Sequence, residues 1–93
     1  MAPCSFEDLL TADTAVVQKT IAEFSIRDTV LALKGASPQM NEFIVGLMPK
    51  EYAAALSDEK MRIGTVPLIQ VEQAQEHILQ TYLRFLQAGK ESL

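Results

Sequence analysis

Tryptophan is absent from these 93 residues, and cysteine and histidine occur once each, as Cys4 and His77. A single thiol excludes an internal disulfide framework and a Cys-Cys redox pair, and one imidazole cannot complete a Cys/His zinc site. No metal and no cofactor is expected. Long apolar runs are also missing. Stretches such as Ala53 to Leu56 are far shorter than the roughly 20 residues of a membrane-spanning helix, and the N-terminus shows no basic segment followed by an apolar one. The expectation is a chain neither secreted nor membrane-embedded, and a reducing, cytoplasmic setting fits the cysteine usage. Basic residues are the minority charge, with 8 Lys and Arg against 12 Asp and Glu and a formal net charge of −4. That balance, without any local Lys/Arg cluster, argues against nucleic acid as a partner, because phosphate binding draws on counterion release by cations.

What is present is aliphatic. The apolar fraction is 48% with only six aromatic residues, four Phe and two Tyr, so the core must come mainly from Leu, Ile, Val, Ala and Met, most of them good helix formers. A chain of this length builds one core, and no low-complexity linker divides it, so residues 1–93 are expected to form a single domain.

Punctuation residues mark about six helical segments, with no sustained alternation to suggest a strand. Ser5 can cap a short helix through Leu10, with Asp8 placed as in a capping box. A second helix is expected over Thr14–Glu23 after a restart at Thr11 or Asp13, and a third over Ile26–Lys34 behind a Ser25 cap. Gly35 stands where a helix ends in a left-handed residue. Ser37-Pro38 reads as a cap followed by proline at the first helical position, and Pro49 is expected to open the fifth helix likewise. Gly46, inside the fourth helix, suggests a close helix contact. Tyr52, Leu56 and Met61 supply the buried face of the fifth helix, which Gly64 stops. The sixth, Leu68–Gln87, is the longest and carries Val71, Ala74, Ile78, Tyr82 and Phe85 along one stripe, with Gly89 expected to end it. The fold class is therefore all-α: a compact bundle with a long C-terminal helix, whose successive antiparallel helices are those of one armadillo-like unit.

Catalytic chemistry has few candidates. His77 lies off the apolar stripe without a partner at ligand spacing and reads as a partly exposed structural residue. Cys4 has no basic neighbour to activate it. Lys34-Gly35-Ala36-Ser37 has the wrong glycine spacing for a phosphate loop and follows no strand. Asp58-Glu59-Lys60 with Arg62 is the densest charge cluster, a pattern usually belonging to a solvated helix face.

Several segments, in order and at matching spacing over almost the whole chain, resemble the C-terminal domain of the flagellar motor switch protein FliG. Phe6-Glu7-Asp8-Leu9-Leu10 looks like its F-E-D-L opening, and Leu31 to Ala36 looks like its L-A-L-K-G-A helix end. Met48 to Ala53 takes the place of its N-M-S-x-R-A segment, and Gly64 to Leu68 that of G-P-V-R-L. Val71-Glu72, Ala74-Gln75 and Ile78-Leu79 are similar to its V-E-x-A-Q-x-x-I-L helix.

The resemblance implies a rotor surface at the cytoplasmic side of the inner membrane, touching the membrane only indirectly, where charges along one helix meet a MotA-like stator protein. Other flagellar rotor and switch proteins are the remaining partners it implies, with no small-molecule substrate. Carried over by position, Lys34 matches the lysine of K-G-A, and Asp58 with Glu59 match the family's acidic pair. Glu51 stands where the family has arginine, and Pro67 where it has a second arginine. A charge reversal and a charge loss turn attraction toward a carboxylate into repulsion or nothing. The expected partner-binding residues are Lys34, Asp58 and Glu59, with Glu51, Lys60 and Arg62 reshaping the same face. One alternative is a non-motor assembly adaptor binding through an apolar surface of the fourth and sixth helices, where Phe43 and Phe85 lie. An enzyme is the weakest reading, because it needs the acids to converge in a deep pocket.

Overall fold

A computed structural model describes residues 6–91, with side chains to residue 88. The described chain is helical throughout: a 3-10 helix at Phe6–Thr11, then α1 (Thr14–Ala22), α2 (Ile26–Lys34), α3 (Pro38–Leu47), α4 (Lys50–Ile63) and α5 (Leu68–Glu91). The all-α bundle with a long last helix is as the sequence pattern indicates. The expected Ser5 cap, and Cys4, lie outside the described residues.

Helix starts follow their capping residues. Asp13 accepts from the amides of Ala15 and Val16 to open α1, Ser25 from Asp28 to open α2, and Ser37 from Met40 to open α3 with Pro38 just inside. Each side-chain acceptor satisfies a first-turn amide that has no partner within the helix. Pro49, expected inside the fifth helical segment, instead stands one residue before α4 in an extended conformation and supplies no side-chain cap.

The core is one cluster. Val17 and Ile21 from α1, Val30 and Leu33 from α2, Met40 and Ile44 from α3, Leu56 from α4, and Ile78 and Tyr82 from α5 are all nearly or fully buried. α2 is the central helix: it packs most extensively on α5 and α4, while α1 packs on α5, and α3 touches mainly α1 and the opening 3-10 helix. The stripe Val71, Ala74, Ile78 and Tyr82 faces inward as expected. Phe85 is half-buried, with the Lys19 ammonium 5.0 Å above its ring.

Four local expectations are corrected. Gly35 is not left-handed, with φ −100° and ψ 5°. Its missing side chain matters for space instead, since a Cβ there would lie 2.6 Å from Val71 Cγ1 and 3.1 Å from Gln75 Nε2. Gly46 lies on the exposed side of α3 and a Cβ would meet nothing within 4 Å, so it marks no helix contact. Met61 is 83% exposed. It lies five residues after buried Leu56, about 140° around the helix, and half-buried Ile63 closes the inner face in its place. α5 continues through Gly89 to Glu91, because one glycine costs only about 1 kcal/mol in an established helix. Gly64 does stop α4, in the left-handed half of conformational space at φ 68°.

Candidate functional site

The six charged residues singled out by sequence do not share one face. α4 packs through Tyr52, Leu56 and Ile63. Glu51, Asp58 and Arg62 recur at seven- and four-residue steps, so they lie within about 40° of arc, and all three are exposed. They form an outward stripe. Glu59 follows Asp58 in sequence but projects about 100° from it, toward the seam with the body of the domain. Its side chain is only 21% accessible and pairs with Arg62 Nη1 at 3.8 Å. An ion pair that long, with an exposed partner, contributes little stability.

Lys60 occupies the opposite flank of α4, where its ammonium donates to Asn41 Oδ1 at 3.4 Å. Asn41 Nδ2 in turn donates to the carbonyls of Leu33 and Ser37 at 3.2 and 3.1 Å, closing the turn between α2 and α3. Half-buried Lys34, at the end of α2, lines a groove that Lys60 also lines. The structure thus brings Lys34 toward Lys60, brings Glu51, Asp58 and Arg62 together, and sets Glu59 between the stripe and the core.

The family-like segments around Glu7, Gly35 and Gln75 serve packing. The Glu7 carboxylate accepts from Ser37 Oγ at 2.6 Å and from the Ser37 amide at 3.2 Å, pinning the 3-10 helix to the start of α3. Gln75 Nε2 donates to the Ala32 carbonyl at 2.9 Å, in the last turn of α2 where carbonyls lack helical partners. Gly35 lets α5 approach that same end. Asn41 and Gln75 carry no signal in a charge-based reading, although the need to satisfy the last carbonyls of α2 could have pointed to both. A further tie joins α2 to α4: the hydroxyls of Thr29 and Tyr52 are 3.0 Å apart, and Thr29 also donates to the Ser25 carbonyl. Burial raises the Tyr52 phenol above its ordinary value of 10.0, and the Thr29 hydrogen bond works in the opposite direction.

Phe43 and Phe85, the anchors of the apolar-adaptor alternative, are half-buried and packed against the core or capped by Lys19. His77 is exposed on α5 beside Glu76. Glu51 and Asp58 project to solvent and do not converge on a pocket. Among the described residues there is no group of three His, Cys, Asp or Glu arranged to hold a metal, and no helix long and apolar enough to cross a membrane.

Comparison with known proteins identifies the family. The profile of the FliG C-terminal domain matches residues 3–93. The flagellar motor switch protein FliG of Thermotoga maritima is 42% identical over 85 residues, which is 91% of this chain and 25% of that protein. The FliG of Bacillus subtilis is 31% identical over the same share of each. The chain therefore spans about a quarter of the length of these relatives. The crystal structure of FliG (residues 86–343) from H. pylori superposes with a TM-score of 0.84 at 22% identity, covering 91% of this chain and 40% of that one, a likeness of fold. With a profile match over nearly its full length, the chain belongs to the FliG C-terminal domain family.

Proposed function

We propose that this chain is a non-enzymatic domain of a flagellar rotor or switch that contacts a stator protein or another motor protein through the outer face of α4. The observation that supports this most is the stripe of Glu51, Asp58 and Arg62, exposed and co-facial on a helix whose opposite side is committed to the core. Two carboxylates on that stripe make no ion pair among the described residues, so they remain free to meet cations on a partner, whereas Arg62 already has Glu59. The stripe favours a partner helix presenting positive charge where the family's arginine position would have called for a carboxylate, because Glu51 repels one. Such a domain works at the cytoplasmic face of the inner membrane, held there by its partners.

Contacts of this kind weaken with salt, since charges further apart than about 10 Å are screened at 0.1 M ionic strength. Binding of the purified chain to the cytoplasmic loop of the stator from the same cell, measured from low to moderate salt, is the test. Replacing both Glu51 and Asp58 with alanine is expected to weaken binding at least tenfold at low salt, roughly the effect of losing one good charged contact. Affinity and motility unchanged by that double substitution would remove the stripe from the interface.

A further inference from the structure

On the side of α4 away from the stripe, α3 and α4 stand apart and leave a groove floored by α2. Val30, Leu33, Val45 and Leu56 give its first half an apolar lining around a cavity of about 320 Å³, within the size range of functional clefts. The second half continues past Lys34 and Gly35 to Val66 and Leu68, and the two halves share Leu33, Asn41, Glu42 and Lys60. Four large apolar side chains are exposed among the described residues, and two of them, Val45 at 38% and Leu68 at 70%, line this groove. Apolar side chains that stay in water along a single cleft mark a contact surface more than scattered ones do.

Charge narrows the occupant. In a chain of net charge −4 the groove carries Lys34 and Lys60 against one acid, Glu42. Lys60 is steadied by the neutral Asn41 amide, and neither lysine has a carboxylate partner among the described residues. An ammonium held in place without a counter-ion, beside an apolar trough, suits an acid next to apolar anchors. From Val30 to Gly35 the floor runs about 8 Å along α2, enough for a short helical or extended segment and more open than a small-molecule site requires.

We propose that the groove between α2, α3 and α4 docks a segment of a partner protein that places apolar side chains against Val45 and Ala53, above the buried floor of Val30 and Leu56, and a carboxylate on Lys60. This contact is independent of the stripe on the other side of α4 and stands whether or not that stripe meets a stator.

The probe is a phage-displayed random peptide library selected on the intact 93-residue chain. The expected clones combine apolar residues with Asp or Glu, and synthetic peptides from them bind Val45→Glu and Lys60→Glu at least tenfold more weakly, while the Glu51→Ala/Asp58→Ala variant binds them unchanged. Both groove positions are exposed, so circular dichroism should show native helicity in the variants. Reversing the acid of a selected peptide to lysine should restore its affinity for Lys60→Glu. Absence of clones, clones indifferent to both groove substitutions, or clones lost with the α4 stripe would each overturn the proposal. So would self-association of the chain abolished by Val45→Glu, which would make a second copy the occupant.

Discussion

Gly35→Ala tests whether steric closeness, and not backbone conformation, explains the glycine at the end of α2. The backbone there, at φ −100° and ψ 5°, is open to any residue. By conformational entropy alone, alanine should stabilise the fold by about 0.4–1 kcal/mol through the unfolded state. Against this, the new Cβ would sit 2.6 Å from Val71 Cγ1 and 3.1 Å from Gln75 Nε2. Val71 is only 5% exposed, and Gln75 is already bonded to the Ala32 carbonyl at 2.9 Å, so neither neighbour can yield freely. Forcing a methyl into packed surroundings costs about 1–3 kcal/mol, and the strained Gln75 bond adds to it. The expected net loss is about 1–2 kcal/mol.

Urea unfolding followed by circular dichroism should show a lower midpoint with an unchanged slope. Each kcal/mol should lower Tm by about 4–8 °C in a domain of this size. Val71→Ala destabilises the parent by opening a cavity, yet it removes the methyl that the new Cβ meets. In the double variant the two penalties should fall short of their sum by about 1 kcal/mol. Gly46→Ala is the internal contrast: with open space around it, the same substitution should stabilise by about 0.5 kcal/mol. A Gly35→Ala protein as stable as the parent, or penalties that simply add, would refute close approach of α5 as the reason for Gly35.

Two other outcomes follow from polar ties between elements. Glu7→Gln keeps the shape of the side chain but weakens both bonds to Ser37, so a loss of about 0.5–1.5 kcal/mol is expected, measured by urea unfolding; no loss would mean that the 3-10 helix is not pinned to α3. Tyr52, whose phenol burial raises above 10.0, contributes stability that is complete below 10.0 and is lost as pH rises from there through the folded-state value, because only the unfolded form then releases its proton freely. Tyr52→Phe should flatten that alkaline decline in a thermal-melt series, and an unaltered decline would place its cause elsewhere.

Much of this fold could be read from the chain because its signals are local. Ser25, Ser37, Pro38 and Gly64 act within one turn of where they stand, and the stripe from Val71 to Tyr82 repeats at helical spacing, so each element announces itself. The sites were less legible because they depend on how helices sit against one another. Asp58 and Glu59 are neighbours in sequence and read as a pair, but the helical turn sends one to solvent and the other toward the core seam. Lys60 belongs with Lys34, and it is the packing of α4 on α2 that brings them to one groove. Gly35 and Gly46 look alike as letters; only the distance to α5 tells a packed glycine from an open one.

The position of α4 has a mechanical consequence. Its substantial packing is with α2 alone, through the seam around Leu56 and the Thr29–Tyr52 hydroxyls. A sideways push on its outer face therefore has one principal route inward: across that seam into α2, and from the far end of α2 into α5 where Gly35 meets Val71 and Gln75 holds Ala32. The stiffness with which the domain transmits a load is set by two joints in series, and the softer of them limits how far α4 yields before the 24-residue α5 moves with it.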